Sequence, residues 1–246
     1  MSRYSGQIEP KFSSLHEDDD LLWVVPFRVR YIVGICGYRY AGKTAAISHL
    51  VEKYGFRLYS LSTTLRRLAE QRGISSASRR DLQDFGDAIR RERGEDHLAK
   101  LTLREIRRDQ LSHRADSRAA NRIVVGGFKR PEEVETFMGI EQFRLLGLDT
   151  PDATRFKRAN DVGLPAHELG EQEGTLVSFE VIANEIDRRD RTGLGEQDAC
   201  GQAVEEVVKL VDPSCLIDNT DSLPELYRAL ELKVEEFDRR YRRPRG

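Results

Sequence analysis

The sequence predicts an α/β protein whose parallel sheet is covered by helices on both faces. Three observations carry that expectation. Residues 37–44 read GYRYAGKT and fit the phosphate-binding pattern G-x-x-x-x-G-K-[ST]. The loop lies between an apolar run holding Val29, Tyr31, Ile32, Val33 and Ile35 and a helical pattern with Ile47, Leu50, Val51 and Tyr54 at i, i+3, i+4 and i+7. Four further short apolar runs then alternate with helical patterns, the arrangement that gives parallel strands joined by right-handed crossovers. In such a sheet a ligand lies at the carboxyl ends of the strands, where this loop sits.

Each loop position has a physical task. Gly37 and Gly42 let the backbone take conformations closed to residues with a Cβ, so that N–H groups of Tyr38, Arg39, Tyr40, Ala41 and Ala45 converge on phosphate oxygens. The helix beginning near Lys43 adds unpaired N–H groups and the positive end of its dipole. Lys43 is placed to reach the β and γ phosphates, and the Thr44 hydroxyl to ligate Mg2+. The bland alternative is a glycine turn before an ordinary helix, and the correct flanking elements argue against it.

Composition bounds the rest. The chain has 246 residues, 39% hydrophobic and 33% charged, enough to bury the core of one large domain. A net charge of −2 exerts no global pull toward nucleic acid or membrane. Cys36, Cys200 and Cys215 are odd in number, far apart and without metal-ligand spacing, which predicts reduced thiols. No apolar run reaches membrane-spanning length and no signal peptide precedes the first strand, so a cytoplasmic protein is expected.

In chain order, residues 1–20 are polar, end in an acidic run and read as a flexible arm. Residues 21–27 (LLWVVPF) are apolar, and Pro26 confines them to an edge segment or a partner or homodimer contact around Trp23. Gly55 suits a helix C-cap, and 56–61 reads as a second strand. Ser62 or Thr63 is the expected cap of a helix carrying Leu65, Leu68 and Ala69 that stops at Gly73. Helices follow over 81–93 (Leu82, Phe85, Ile89) and 96–108 (Leu98, Leu101, Ile106). A third strand at 123–125 ends in Gly126 and Gly127, and Pro131 opens a helix with Val134, Phe137 and Met138 inward. The fourth strand is 143–148, with Asp149 or Thr150 expected to cap a helix holding Arg155 and Arg158. A polar loop at 160–174, an amphipathic helix around Phe179 to Ile186, a charge cluster at 187–191 and a helix at 198–210 come next. A fifth strand at 215–217 precedes a capping box of Ser222 and Glu225 and a last helix bearing Leu226, Leu230, Val234 and Phe237. Residues 238–246, with five arginines and one acid, read as a solvated tail. The domain expected is 21–238, with a lid at about 160–197 and a basic tail at 239–246.

A phosphate-binding loop alone leaves several reactions open. A guanine-specific GTPase needs an N-K-x-D element, and none occurs. Large ATPases usually carry a long apolar strand ending in Asp-Glu, whereas the candidate strand here ends IVVGG. A small phosphotransferase remains, and the many arginines suit a reaction that depends on charge neutralisation and alignment.

The chain resembles the P-loop nucleotide kinases, in particular nucleoside and deoxynucleoside monophosphate kinases and dephospho-coenzyme A kinases. The resemblance spans roughly 29–237 and rests on GYRYAGKT, YGFRLYSLSTTLRRLAEQRG, RRDLQDFGDAIRRERGEDHLAK, VVGGFKRPEEVE, the lid-like EIDRRDR and LIDNTDSLPEL. It implies a five-stranded parallel sheet of order 2-3-1-4-5, with ATP as phosphoryl donor and Mg2+ as cofactor. It puts Gly37, Gly42, Lys43 and Thr44 on ATP and Mg2+. It makes Arg66 a candidate for the acceptor phosphate, with Lys129 or Arg130 as a second phosphate contact; the planar guanidinium favours Arg130. Arg188, Arg189 and Arg191 resemble lid arginines, and Gln83 is a candidate reader of a base edge, with a surface role the plainer alternative. One departure stands out. The family usually has Asp where this chain has Gly126, so catalysis either draws on another acid such as Asp149 or is weakened. The partner expected is a small nucleotide acceptor, with neither membrane nor nucleic acid engaged. A nucleotide-sensing module that contacts a partner is the competing expectation.

Overall fold

The computed structural model describes residues 29–74, 79–112, 121–162, 183 and 203–242. Its elements are β1 (Tyr31–Gly37), α1 (Lys43–Tyr54), β2 (Arg57–Ser60), α2 (Leu61–Gln71), α3 (Arg79–Arg93), α4 (His97–Ser112), β3 (Arg122–Gly126), α5 (Pro131–Met138), β4 (Phe143–Asp149), α6 (Asp152–Val162), α7 (Val204–Lys209), β5 (Leu216–Asp218) and α8 (Leu223–Arg240). The five strands are parallel and ordered β2-β3-β1-β4-β5, as the resemblance implies. This is a P-loop α/β architecture, with the phosphate-binding loop at the carboxyl end of the central strand β1.

Alternation along the strands explains the layers. Ile32 and Cys36 of β1, Ile123 and Val125 of β3, and Phe143 and Leu145 of β4 share one core with Leu65, Ile89, Leu98, Ile106, Val134 and Val207. The intervening Tyr31, Val33 and Ile35, with Val124, Leu146 and Leu148, pack against Leu50 of α1 and Leu226, Leu230, Val234 and Phe237 of α8. A strand buried on both faces reads as a continuous apolar run because it has no solvated side. All seven β1 residues are buried accordingly.

Most predicted elements appear near their expected bounds, and the differences have local causes. Gly55 caps α1 at φ 67°, its N–H reaching Val51 O at 3.0 Å while the Phe56 N–H reaches Leu50 O at 3.3 Å. Helix α2 starts directly after β2 with Ser60 as N-cap, not Ser62 or Thr63, because the chain turns from strand to helix without a loop. Asp149 belongs to β4, and Thr150 bonds elsewhere, so neither opens α6, which begins at Asp152 and runs through Val162. The helix expected at 198–210 begins at Val204. Ser222 and Glu225 form the predicted capping box.

The expected solvated tail starts inside the fold. Helix α8 runs through Arg240 because Asp238 has three partners at the amino ends of β1 and β3. Its Oδ1 accepts from the Tyr31 hydroxyl at 2.9 Å and from Arg122 Nε at 3.1 Å, and Arg30 Nη1 stands 3.1 Å away. Burial and the adjacent Asp238 carboxylate push the Tyr31 hydroxyl well above the ordinary tyrosine range. The arm at 1–20, the segment 21–27, most of the lid and residues 243–246 lie outside the described residues.

Replacing Asp238 by Ala removes a charged acceptor from two arginines and a buried phenol. The expected loss of stability is about 2–3 kcal/mol, read from the urea midpoint at constant m-value. Asp238→Asn should fall between the two proteins.

Candidate functional site

The loop between β1 and α1 takes the conformation that its sequence predicts. Gly42 has φ 90°, and a Cβ there would meet Asn219 Nδ2 at 2.4 Å, so only glycine fits. Tyr40 has φ 59° despite its bulk, a left-handed conformation that costs about 1–2 kcal/mol. Such strain persists where surroundings over-determine the backbone, and here they do.

The restraint comes from side chains that seize the loop's carbonyls. Arg155 Nη1 donates to Arg39 O at 3.2 Å, and Arg158 Nη1 reaches Tyr40 O at 3.5 Å. Asn219 Nδ2 donates to Ala41 O at 2.8 Å, and Thr150 Oγ1 to the same oxygen at 3.4 Å. Lys43 Nζ donates to Gly37 O at 2.8 Å and to Tyr38 O at 2.6 Å. A carbonyl and the following N–H point to opposite sides of one peptide plane. Holding the carbonyls of 39, 40 and 41 from α6, β4 and the β5–α8 turn therefore turns the following N–H groups away from those elements, and Ala41 N–H closes a turn on Tyr38 O at 3.2 Å.

Among the described residues Arg155 is the largest fully buried side chain, 1% exposed. Its guanidinium lies 4.8 Å from the Tyr38 ring centroid, and its Nη2 pairs with Asp152 at 2.6 Å. Arg158 also holds Asn219 O at 2.9 Å, which joins the β5–α8 turn to the loop. Sequence reasoning placed Arg155 and Arg158 on a helix without assigning them a task, and it quoted Asn219 only inside a motif. Nothing in residue type marks a backbone carbonyl as their target.

A cavity of about 530 Å³ opens beside the loop, within the range of small-molecule sites. Gly37, Arg39 and Lys43 form one side; Ser62, Leu65 and Arg66 of α2 and Leu82 and Gln83 of α3 form another. Gly127, Phe128 and Lys129, which follow β3, and Val204 of α7 close it. Among the described residues the lining holds four cationic side chains and no carboxylate. The structure thus brings Lys43, Arg66, Gln83 and Lys129 together. Arg130 is absent from the lining, and its guanidinium stands 3.3 Å from Glu95 and 4.0 Å from Asp87. Thr44 is exposed at the start of α1. Arg188, Arg189 and Arg191 lie outside the described residues.

Gly126 has a steric reason. A Cβ there would lie 2.8 Å from Ile47 Cδ1, the far end of a flexible side chain, so a residue larger than glycine requires Ile47 of α1 to shift. Asp149 ends β4, two strand spacings from β3 across the sheet and three residues further along it by the strand register, roughly 14 Å from Gly126. Cys36, one residue before the loop, is buried and free, and burial pushes its thiol up to about 12 against the pull of Lys43. Among the described residues no group of three or more His, Cys, Asp or Glu can hold a metal ion, and no helix is long and apolar enough to cross a membrane.

No protein-family model matches the chain. A UPF0200 protein of Methanothrix thermoacetophila is 30% identical over 128 residues, which cover 52% of this chain and 63% of that relative. The match thus spans less than two thirds of the relative's length. The structure of TT1252 from Thermus thermophilus aligns at 17% identity over 85% of this chain and 98% of its own, with a TM-score of 0.49. Shikimate kinase from Bacteroides thetaiotaomicron aligns at 15% identity over 85% and 98%, with a TM-score of 0.45. The fold assignment rests on the sheet order and the loop rather than on these scores.

Introducing the carboxylate alone should force Ile47 to move. Gly126→Asp is expected to lose about 1–3 kcal/mol through overpacking against Ile47. Adding Ile47→Ala should return part of that loss, so a double-mutant cycle by chemical denaturation should show favourable coupling. Additive effects would mean that Ile47 is not what excludes the aspartate.

Proposed function

We propose that the protein is an ATP-dependent phosphotransferase that moves the γ-phosphoryl group to a nucleoside monophosphate or a similar small phosphorylated acceptor. The observation that carries this reading is the cavity beside the loop, where Arg39, Lys43, Arg66 and Lys129 line one space that no carboxylate enters among the described residues. Two polyanions brought together repel each other, and a fixed cationic lining lowers that cost before reaction begins. Leu65, Leu82, Phe128 and Val204 add apolar surface on which a planar base can lie, and Gln83 offers an amide to its edge.

The residues divide by task. The loop's N–H groups and Lys43 hold the donor phosphates, and Arg155, Arg158 and Asn219 hold the loop. Arg66 and Lys129 take the acceptor phosphate and align it for in-line attack. Arg188 and Arg191 are assigned to charge neutralisation as the phosphoryl group transfers, and Arg130, whose guanidinium stands beside Glu95 and Asp87 outside the cavity lining, is not. Mg2+ fits the donor chemistry of Thr44, a single hydroxyl oxygen, because this hard cation keeps several waters and shares phosphate oxygens. When bound it neutralises charge on those oxygens.

The lack of a carboxylate at Gly126 favours a second reading, a nucleotide-sensing module with little turnover. A panel of nucleoside and deoxynucleoside monophosphates, with dephospho-coenzyme A, separates the two when ADP and phosphorylated product are scored. The kinase reading expects turnover that needs one acceptor class and disappears in Lys43→Ala. ATP binding without acceptor-dependent turnover sinks it and leaves the sensor.

Two variants refine the roles. Lys129→Ala should raise the acceptor KM about tenfold with the ATP KM nearly unchanged, a loss of about 1.4 kcal/mol of acceptor binding. Neutralising Arg188, Arg189 and Arg191 together should lower kcat more than ATP affinity, because such contacts strengthen in the transition state. An unchanged kcat would remove these three from the mechanism.

A further inference from the structure

The most deeply buried ion pair in the described protein stands behind the cavity rather than in it. Glu133, in the first turn of α5, has no exposed surface, and Arg90 near the end of α3 is 5% exposed. Glu133 Oε1 accepts from Arg90 Nη2 at 2.9 Å and Nε at 3.2 Å. Its Oε2 accepts from the backbone N–H of Lys129 at 2.7 Å and of Arg130 at 3.2 Å. Arg90 Nη1 also donates to Asp87 at 3.2 Å. One carboxylate thus grips α3 with one oxygen and the segment after β3 with the other.

Those two grips belong to facing walls of the cavity. Leu82 and Gln83 lie on α3, about two turns before Arg90, and Phe128 and Lys129 lie on the segment whose N–H groups Glu133 holds. An apolar pair of similar volume would join α3 to α5 as firmly, since a buried ion pair rarely adds net stability. It could not accept two peptide N–H bonds, and so could not orient the backbone that presents Lys129. Burial pushes the carboxyls of Glu133 and Asp87 upward, and Arg90 opposes that in both.

We propose that Arg90 and Glu133 are positioning residues, a clasp that sets the spacing of the two walls and aims Lys129 at the acceptor phosphate. This role rests on the kinase reading, in which that wall receives an anion.

The test uses the full chain, with inorganic phosphate as the probe while a non-hydrolysable ATP analogue saturates the loop. Calorimetry should show Glu133→Gln weakening phosphate binding at least fivefold, with the affinity for the analogue changed less than twofold. The double variant Arg90→Met with Glu133→Leu replaces the pair by packed apolar groups and should fold even where the single variant does not. It should lose phosphate binding to the same degree. For whichever acceptor supports turnover, either variant should raise the acceptor KM at least fivefold and leave the ATP KM alone. Folded variants that bind phosphate like the original protein would overturn the clasp, as would an equal loss of both ligands. Failure of the unaltered protein to bind phosphate once the loop is filled would overturn it as well. If phosphate binding follows the expected pattern while no monophosphate is turned over, the clasp stands and the kinase reading fails.

Discussion

The site depends on one constraint: the carbonyl groups of the loop must be held so that its N–H groups face away from the elements that hold it. A glycine-rich loop has many conformations, and fixing each residue costs roughly 1–2 kcal/mol of backbone entropy. The chain meets that cost with donors from three separate elements, Arg155 and Arg158 on α6, Thr150 at the end of β4 and Asn219 after β5. The left-handed backbone of Tyr40 is the visible sign that these contacts, and not intrinsic preference, set the shape. Gly42 then does two things at once, turning at φ 90° and leaving room for the Asn219 amide.

Charge is arranged around this loop in two shells. The inner one lines the cavity with cations alone, and the outer one, at Arg90, Glu133, Asp87, Arg130 and Glu95, mixes both signs. Paired charges behind the wall satisfy one another, so they orient backbone without drawing on the field that a ligand meets. This separation explains why Lys129 and Arg130, adjacent in sequence, have different tasks in space. Lys129 lines the cavity, whereas the Arg130 guanidinium sits beside Glu95 and Asp87.

The fold was largely legible because its signals are local. Apolar runs such as that of β1, the glycines at 37 and 42, and the box of Ser222 and Glu225 each report on residues nearby in the chain. What escaped depends on contacts between distant positions. Asp238 looked like the start of a polar tail, because nothing in its neighbourhood announces Tyr31 and Arg122 across the sheet. Arg155 escaped for a second reason: its target is a main-chain oxygen, and any residue type can supply one. Gly126 was noticed as a missing carboxylate, and the structure adds that a Cβ there would press on the end of the Ile47 side chain.

The contact from Asn219 to Ala41 joins residues 178 positions apart. Its consequence lies in the order of assembly. On a ribosome the loop and its strand emerge before the turn whose amide holds Ala41 O, which follows 178 positions later. Long-range closure of this kind is slow, because the entropy of a large loop must be lost before the contact is gained. The loop therefore reaches its held geometry only after that turn is made, and a nascent chain carries the complete motif before the contacts that shape it.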